Sequence, residues 1–180
     1  GYYINREMPK VIAAGFVPAS AALIMRGRLD GKLPFDEYHA SGDGIIIHPD
    51  GRVKCVWDSG DLRKLNPESP LYWGALVLPD HAWEAIDGRI FSHEEIEKYR
   101  GWKPTEGAKE NPFLQWFARG DQALLDAYLD QLFGPVRKYH GDDSANYSIG
   151  WDQMEASVLR LRSWEFGGFD DDSGIVGDIS

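Results

Sequence analysis

The sequence contains a single cysteine, Cys55, among its 180 residues. One cysteine excludes an intrachain disulfide and a cysteine-rich zinc site. Cys55 alternates with Val53 and Trp57, which predicts a small side chain on the apolar face of a strand rather than a nucleophile. Chains without disulfides are typical of reducing compartments, so we expect a cytoplasmic protein.

The sequence also lacks an apolar run long enough to cross a membrane. Its longest apolar stretch, residues 11–25, is interrupted by Gly15, Pro18 and Ser20, whereas a membrane-spanning helix needs about 20 apolar residues. The sequence therefore predicts no membrane partner. An alternative for residues 1–21 is a processed secretion signal, with Lys10 as its basic flank.

Basic residues are scarce, because 19 Lys and Arg face 29 Asp and Glu and give a net charge of −10. Direct binding to a nucleic-acid backbone is therefore not expected, because phosphate contacts need an electropositive surface. The charge favours a protein partner with a basic surface. We therefore predict an acidic protein-interaction module, such as an inhibitor, an immunity protein or an accessory factor. An alternative is a structural component of a larger assembly.

The common catalytic motifs are absent. The sequence has no H-E-x-x-H, no glycine-rich phosphate loop, no G-x-S-x-G elbow and no dinucleotide fingerprint. We therefore predict no cofactor. An alternative is a metal-dependent hydrolase, since His140, Asp142 and Asp143 bring an imidazole and two carboxylates into one loop that could hold a divalent metal and activate water. The alternative reading of this loop is a polar turn.

Two further groups of polar residues are candidates. Asp36, Glu37 and His39 lie near Asp43, where carboxylates could tune a histidine for acid–base chemistry, and the alternative reading is a solvated loop. The C-terminal segment is acidic and carries an apolar anchor, so it could order on a basic groove of a partner. Its candidate contacts are Phe169, Asp170, Asp171 and Asp172.

The strongest structural signal is a β-hairpin over residues 44–58. Pro49, Asp50 and Gly51 are favoured residues of a three-residue hairpin turn, which places His48 opposite Arg52. This register predicts an apolar face that carries Ile45, Ile47, Val53, Cys55 and Trp57. The opposite face carries His48, Arg52 and Lys54, which we predict to be outward candidate binding residues.

The remaining pattern predicts an α+β fold. Residues 71–78 are apolar throughout and predict a buried strand beside the hairpin, in a small and mostly antiparallel sheet. Helices over residues 92–134, with a capping box at Ser92 and Glu95, would cover one face of this sheet. Residues 152–164 fit a helix or a strand. We expect one domain over residues 1–166, followed by a mobile acidic tail over 167–180.

Overall fold

The computed structural model describes residues 4–140, 146–150 and 157–167. Its helices and its mostly antiparallel six-stranded sheet confirm the predicted α+β class. The helices are α1 (Ile4–Ala13), α2 (Ala21–Leu29), α3 (Ala82–Ala85), α4 (His93–Tyr99), α5 (Pro112–Phe117) and α6 (Gln122–His140), with 3₁₀ helices at Leu62–Lys64 and Thr105–Glu110. The strands are β1 (His39–Ile47), β2 (Val53–Val56), β3 (Leu71–Tyr72), β4 (Ala75–Leu78), β5 (Arg89–Phe91), β6 (Gly101–Pro104), β7 (Asn146–Ile149) and β8 (Leu159–Phe166).

The described residues group into two compact units. The first contains residues 4–20, 40–98 and 157–164, and the second contains residues 21–39, 99–140, 146–150 and 165–167. The prediction of one domain over residues 1–166 stays a prediction.

The six-stranded sheet of the first unit is built around the predicted hairpin. Its strand order is β3-β4-β8-β1-β2-β5. Ile45 lies opposite Cys55 and Ile47 opposite Val53, and the His48 amide donates to the Arg52 carbonyl at 2.9 Å, which confirms the predicted register. The turn residue Gly51 has a φ of 94°, as this turn requires.

Both faces of the hairpin are buried, so the predicted outward face was wrong in part. Ile46, Lys54 and Val56 are as well buried as Ile45 and Cys55 on the other face. The reason is that α1, α3 and the first 3₁₀ helix pack on the side of Ile46. This core cluster consists of Met8, Ile46, Val56, Leu62, Leu65, Leu78, Ala82, Trp83, Leu159 and Leu161. Burial raises the pKa of the Cys55 thiol well above its usual value, which fits a core side chain.

Residues 71–78 do not form the single buried strand that the sequence predicted. They form a tight hairpin, with β3 and β4 antiparallel and Tyr72 opposite Ala75. Positive φ angles at Trp73 and Gly74 turn the chain back within two residues. Because β3 lies at the edge of the sheet, Leu71, Tyr72 and Trp73 are exposed rather than buried.

The helices predicted over residues 92–134 form as α4, α5 and α6. The capping box is present, because the Ser92 amide donates to Glu95 Oε2 at 2.8 Å and the Glu95 amide donates to Ser92 Oγ at 3.2 Å. Helix α6 does not end at Gly134 but continues through Pro135 to His140. Within the second unit, Phe133 is buried before Pro135 and Arg137 Nε donates to Thr105 Oγ1 at 3.3 Å after it, so tertiary contacts hold the helix on both sides of the proline.

The segment left ambiguous by pattern, residues 152–164, contains the start of strand β8 at Leu159. Residues 152–156 lie outside the described residues. Every residue of β8 is buried, and the β8 residue Leu161 lies opposite Leu76 of β4. The alternation of Leu and Arg was thus the informative part of this pattern.

Candidate functional site

The tip of the β3–β4 hairpin carries an exposed tryptophan with an unusual backbone. Trp73 has a φ of 49° and Gly74 a φ of 78°, as in a type I′ turn. For a bulky side chain the left-handed conformation costs about 1–2 kcal/mol, and asparagine or glycine is the usual residue there. Trp73 is 61% exposed, so packing of its indole against the protein does little to offset the cost of this strained backbone.

The register of the sheet places a second tryptophan at the same end. Continuing the pairing of Leu76 with Leu161 brings Trp73 level with Trp164, whose carbonyl accepts from Ser41 Oγ at 2.6 Å near the beginning of β1. Strand β2 ends at the same end of the sheet. Trp57 directly follows β2, and 37% of its surface is exposed. Three strand spacings separate β4 from β2, so the backbones of these two strands lie about 14–15 Å apart.

The segment after α1 reaches this end as well. The Gly42 amide donates to the Ala19 carbonyl at 2.8 Å, and the Ser59 amide donates to the Gly42 carbonyl at 2.8 Å. A Cβ at Gly42 would lie 2.9 Å from the Pro18 carbonyl oxygen, so this close approach requires glycine. Phe16 and Val17 precede this contact and are exposed. We name the whole set the aromatic end, which comprises Phe16, Val17, Trp57, Tyr72 and Trp73.

A buried carboxylate fixes the turn after Trp57. Asp43 is fully buried, and its Oδ1 accepts from the Asp58 amide at 2.8 Å. Asp58 has a φ of 45°, which aspartate tolerates better than most residues, and its side chain pairs with Arg63 at 3.4 Å. Trp57 is therefore presented by a backbone that is fixed on its C-terminal side, and a carboxylate follows it directly.

The predicted basic face does not form an exposed cationic patch. Lys54 is only 5% exposed, and its ammonium group donates to the carbonyls of Trp83 and Ile86. Arg52 donates to Asp50 Oδ2 at 2.8 Å, while its guanidinium carbon lies 5.0 Å from the centre of the Trp83 ring. The His48 ring contacts the same indole at 4.9 Å. The side chains of His48, Arg52 and Lys54 thus all contact Trp83, and the contacts of the two cations lie mostly within the protein.

The predicted hydrolase residues and tail contacts lie where the structure gives no test. Asp142 and Asp143 lie outside the described residues, as does the side chain of His140. The predicted tail contacts, Phe169, Asp170, Asp171 and Asp172, lie outside them too. Within the described part of the chain, no group of three or more His, Cys, Asp and Glu side chains could hold a metal ion. The hydrolase and the docking tail stay predictions.

The predicted acid–base histidine, His39, is bonded to a buried arginine instead of to a carboxylate. Arg28 lies 2.9 Å from His39 Nδ1 through Nη2, so Nδ1 accepts and the neutral imidazole carries its proton on Nε2. Burial is the main cause that lowers the pKa of His39, and the Arg28 charge lowers it further, while Glu37 opposes both. This arrangement disfavours the protonated form that an acid catalyst needs.

Arg28 is the centre of a network that sequence analysis missed. Its side chain is 1% exposed, and it donates to the Tyr128 hydroxyl at 2.9 Å, to the Glu37 carbonyl at 2.6 Å and to the Gly167 carbonyl at 3.4 Å. The rings of Phe35 and Phe166 flank the guanidinium group at 5.7 and 5.5 Å. In sequence, Arg28 is an ordinary basic residue in the last turn of a helix, so no local signal marked it.

No described helix combines the length and the apolar character needed to cross a membrane. The chain matches no protein-family model and no curated protein. It is similar to a solved structure from work on the accommodation of massive sequence variation in Nanoarchaeota by the C-type lectin fold. The TM-score is 0.61 at 17% identity, and the match covers 89% of this chain and 83% of that one. Such a likeness concerns the architecture alone, and the α+β fold of this chain is similar to that C-type lectin fold.

Proposed function

We propose that this chain is a binding protein that uses the aromatic end to engage a protein partner with a basic surface. The observation that carries the proposal is Trp73, which is held with a positive φ at a hairpin tip and is 61% exposed. Strained backbone positions persist mainly where a function needs the side chain. An asparagine at this position would make the same turn with less strain, so the indole itself is the feature to explain.

The charge of the chain supports a basic partner. A net charge of −10 attracts cationic surfaces over a distance and raises the rate of encounter. Asp58 and Asp61 follow Trp57 closely in sequence, and Asp58 already pairs with Arg63 at 3.4 Å. An apolar centre with a charged rim is the usual composition of a protein interface, and tryptophan is enriched among the residues that dominate its energy.

The fold is compatible with this role. The similar solved structure concerns a C-type lectin fold that accommodates massive sequence variation in Nanoarchaeota. A scaffold that tolerates variation can change its surface while it keeps its core, and binding sites are commonly carried by loops on such a scaffold. In this chain we place the recognition surface at the aromatic end, where turns and strand ends meet.

Other predicted residues enter the proposal as secondary contacts. Phe169 would add an apolar contact, and Asp170, Asp171 and Asp172 would add charge contacts to a basic partner. His48 and Arg52 are half-buried at the hairpin turn, which lies at the opposite end of β1 and β2 from Trp57, and Lys54 is buried, so these three residues lie outside the proposed surface. We propose that the protein acts in the cytoplasm, as an inhibitor, an immunity protein or an accessory factor.

Selection from a random peptide library tests the proposal without a known partner. Peptides displayed on phage are selected on the immobilised protein at low salt, and their affinities are then measured for wild type and for Trp73→Asn. Asparagine tolerates the left-handed conformation, so this variant keeps the turn and removes only the indole. We expect the selected peptides to carry net positive charge, to bind Trp73→Asn at least tenfold more weakly, and to lose affinity as salt is added.

A matched control is Trp102→Thr, because Trp102 is an exposed indole on strand β6 of the second unit. This control should bind the selected peptides as wild type does. Peptides that are neutral or acidic, or that bind wild type and Trp73→Asn equally, would contradict the proposal.

A further inference from the structure

We propose that a basic partner adds an extended segment to the free edge of strand β3, where the backbone of Leu71 forms hydrogen bonds with it. This inference rests on the proposed function and specifies how the partner is held beside Trp73. It follows from the hydrogen-bond register of β3, from the exposed side chains along this strand, and from the lack of charge at its edge.

Strand β3 ends the six-stranded sheet, so one of its edges has no neighbouring strand among those the structure describes. Tyr72 begins the two-residue turn, which places it in a hydrogen-bonded pair of the ladder. The Val77 amide donates to the Pro70 carbonyl at 2.8 Å, so position 70 is hydrogen-bonded to β4 as well. Since bonded and non-bonded pairs alternate in an antiparallel ladder, the N–H and C=O groups of Leu71 point away from β4.

The side chains beside this edge are accessible to an added strand. Leu71 is 41% exposed and Tyr72 is 36% exposed, and successive side chains of a strand point to opposite faces of the sheet. An added segment would therefore contact Leu71 on one face and Tyr72 on the other, and its end would meet Trp73 at the hairpin tip. Backbone bonds to an edge strand, together with side-chain contacts at alternate positions, are an established mode of peptide recognition.

Strand β3 lacks the charge that commonly protects a free edge. Proteins often place charged residues on edge strands, because an open edge pairs readily with other chains. Strand β5, at the other edge of the sheet, contains Arg89 and is closely preceded by Asp87. Strand β3 contains only Leu71 and Tyr72, and Pro70 directly before it has no N–H group. The outward donors of this edge therefore begin at Leu71.

The charge of the chain favours a basic segment over a second copy of this protein. Between residues 65 and 79 the single charged residue is Glu68, so the β3–β4 hairpin itself contributes no cation. Arg162, which donates to the Trp73 carbonyl at 3.4 Å, is buried. A second copy would bring another net charge of −10 to the same edge, and like charges oppose that encounter.

Amide hydrogen exchange, followed by NMR, tests the inference with the basic peptides selected on phage. In the free protein the Leu71 amide should exchange rapidly, because it points away from the ladder. A saturating peptide should slow this exchange at least tenfold, whereas the Tyr72 amide, which is bonded within the ladder, should keep its rate. Methylation of single peptide amides should weaken binding at alternate positions only, since only every second amide of an added strand faces β3.

A proline variant locates the contact on the protein. Leu71→Pro removes the outward N–H group but no hydrogen bond of the ladder, which an edge strand tolerates. It should weaken peptide binding about tenfold, because an acceptor of the peptide then has no donor. The matched control is Ile90→Pro on β5, where the alternation that starts from the bond between His48 and Arg52 also directs the Ile90 amide outward. This control should bind the peptides as wild type does.

Three results would overturn the inference: an unprotected Leu71 amide in the peptide complex, equal loss of binding on methylation of every peptide amide, or wild-type binding by a folded Leu71→Pro. Protection of the Leu71 amide that rises with protein concentration in the absence of peptide would also overturn it, because a second copy would then occupy the edge. The exchange and methylation measurements use wild-type protein, so they decide the question even if Leu71→Pro does not fold. If the selected peptides depend on Trp73 while the Leu71 amide stays unprotected, the proposed function stands and only the mode of binding is wrong. Failure to select any peptide would overturn both.

Discussion

Removal of the Arg28 side chain should destabilise the protein far more than removal of a neighbouring arginine on the same helix. Methionine at position 28 keeps much of the side-chain volume but supplies no donor. Arg28 is 1% exposed, so the Tyr128 hydroxyl and the carbonyls of Glu37 and Gly167 would lose their partner in a dry environment. A buried acceptor left unsatisfied costs about 1–3 kcal/mol.

These costs overlap, because the acceptors share one guanidinium group and can relax together. We expect Arg28→Met to lower the free energy of unfolding by about 3–5 kcal/mol, as breaking a buried network typically does. This is a large share of the 5–15 kcal/mol by which a domain of ordinary stability is folded. The assay is urea denaturation of wild type and variant, followed by circular dichroism.

The matched control is Arg26→Met, two residues earlier in α2. Arg26 pairs with Asp121 at 3.0 Å, but its side chain is 56% exposed. An exposed ion pair contributes about 0–1 kcal/mol, so this variant should unfold close to wild type. A loss below 1 kcal/mol for Arg28→Met, or equal losses for both variants, would refute the reasoning that the network organises the second unit.

Two other consequences follow from the packing. Because the pKa of His39 in the folded protein lies below its usual value of 6.5, the unfolded chain takes up a proton first as pH falls. The free energy of unfolding should therefore fall as pH is lowered from 6.5 through the pKa of His39 in the folded protein. Urea denaturation of a His39→Gln variant should show a smaller fall. Identical pH profiles of the variant and the wild type would contradict this prediction. A Cβ at Gly88 would clash with the Cys55 carbonyl and lie 2.8 Å from Lys54 Cγ, so Gly88→Ala should cost about 1–3 kcal/mol of unfolding free energy. Gly60→Ala, which meets nothing within 4 Å, is its control, and equal thermal stability of the two variants would contradict the clash.

Local rules predicted the parts of the fold that depend on neighbouring residues. The turn at Pro49-Asp50-Gly51 determines the hairpin register, because turn chemistry acts within a few residues. Asn111 caps α5 directly before Pro112, with the Phe113 amide donating to its side chain at 3.0 Å, which is the usual order of a cap followed by proline. Such signals do not need knowledge of the rest of the chain.

The sequence-based predictions were wrong where residues distant in sequence determine whether a segment is buried or turns. The run of residues 71–78 was apolar enough for a buried strand, and only the positive φ of Trp73 and Gly74 shows that it turns back on itself. Lys54 alternates as an outward residue, but α3 covers that face and supplies carbonyls to its ammonium group. The network of Arg28 joins residues that are far apart in sequence, and a single sequence gives no sign of that contact.

The candidate surface was missed for the same reason. Trp57 was predicted to belong to an apolar face and Trp73 to a buried strand, so neither was expected at a surface. Their common position depends on the register of the strands, which brings the end of β2 and the tip of the β3–β4 hairpin to the same end of the sheet, three strand spacings apart. An aromatic residue followed by glycine between two short apolar runs was the available signal for the turn.

The most direct test of the account is a comparison of peptide binding and stability for Trp73→Asn and Trp73→Ala. Both variants lack the indole, but only asparagine readily adopts the positive φ that this turn requires. The account predicts that both lose the affinity of wild type for selected basic peptides at least tenfold, while the asparagine variant is about 1 kcal/mol more stable than the alanine variant. Full retention of peptide binding by both variants would show that Trp73 is not the recognition residue.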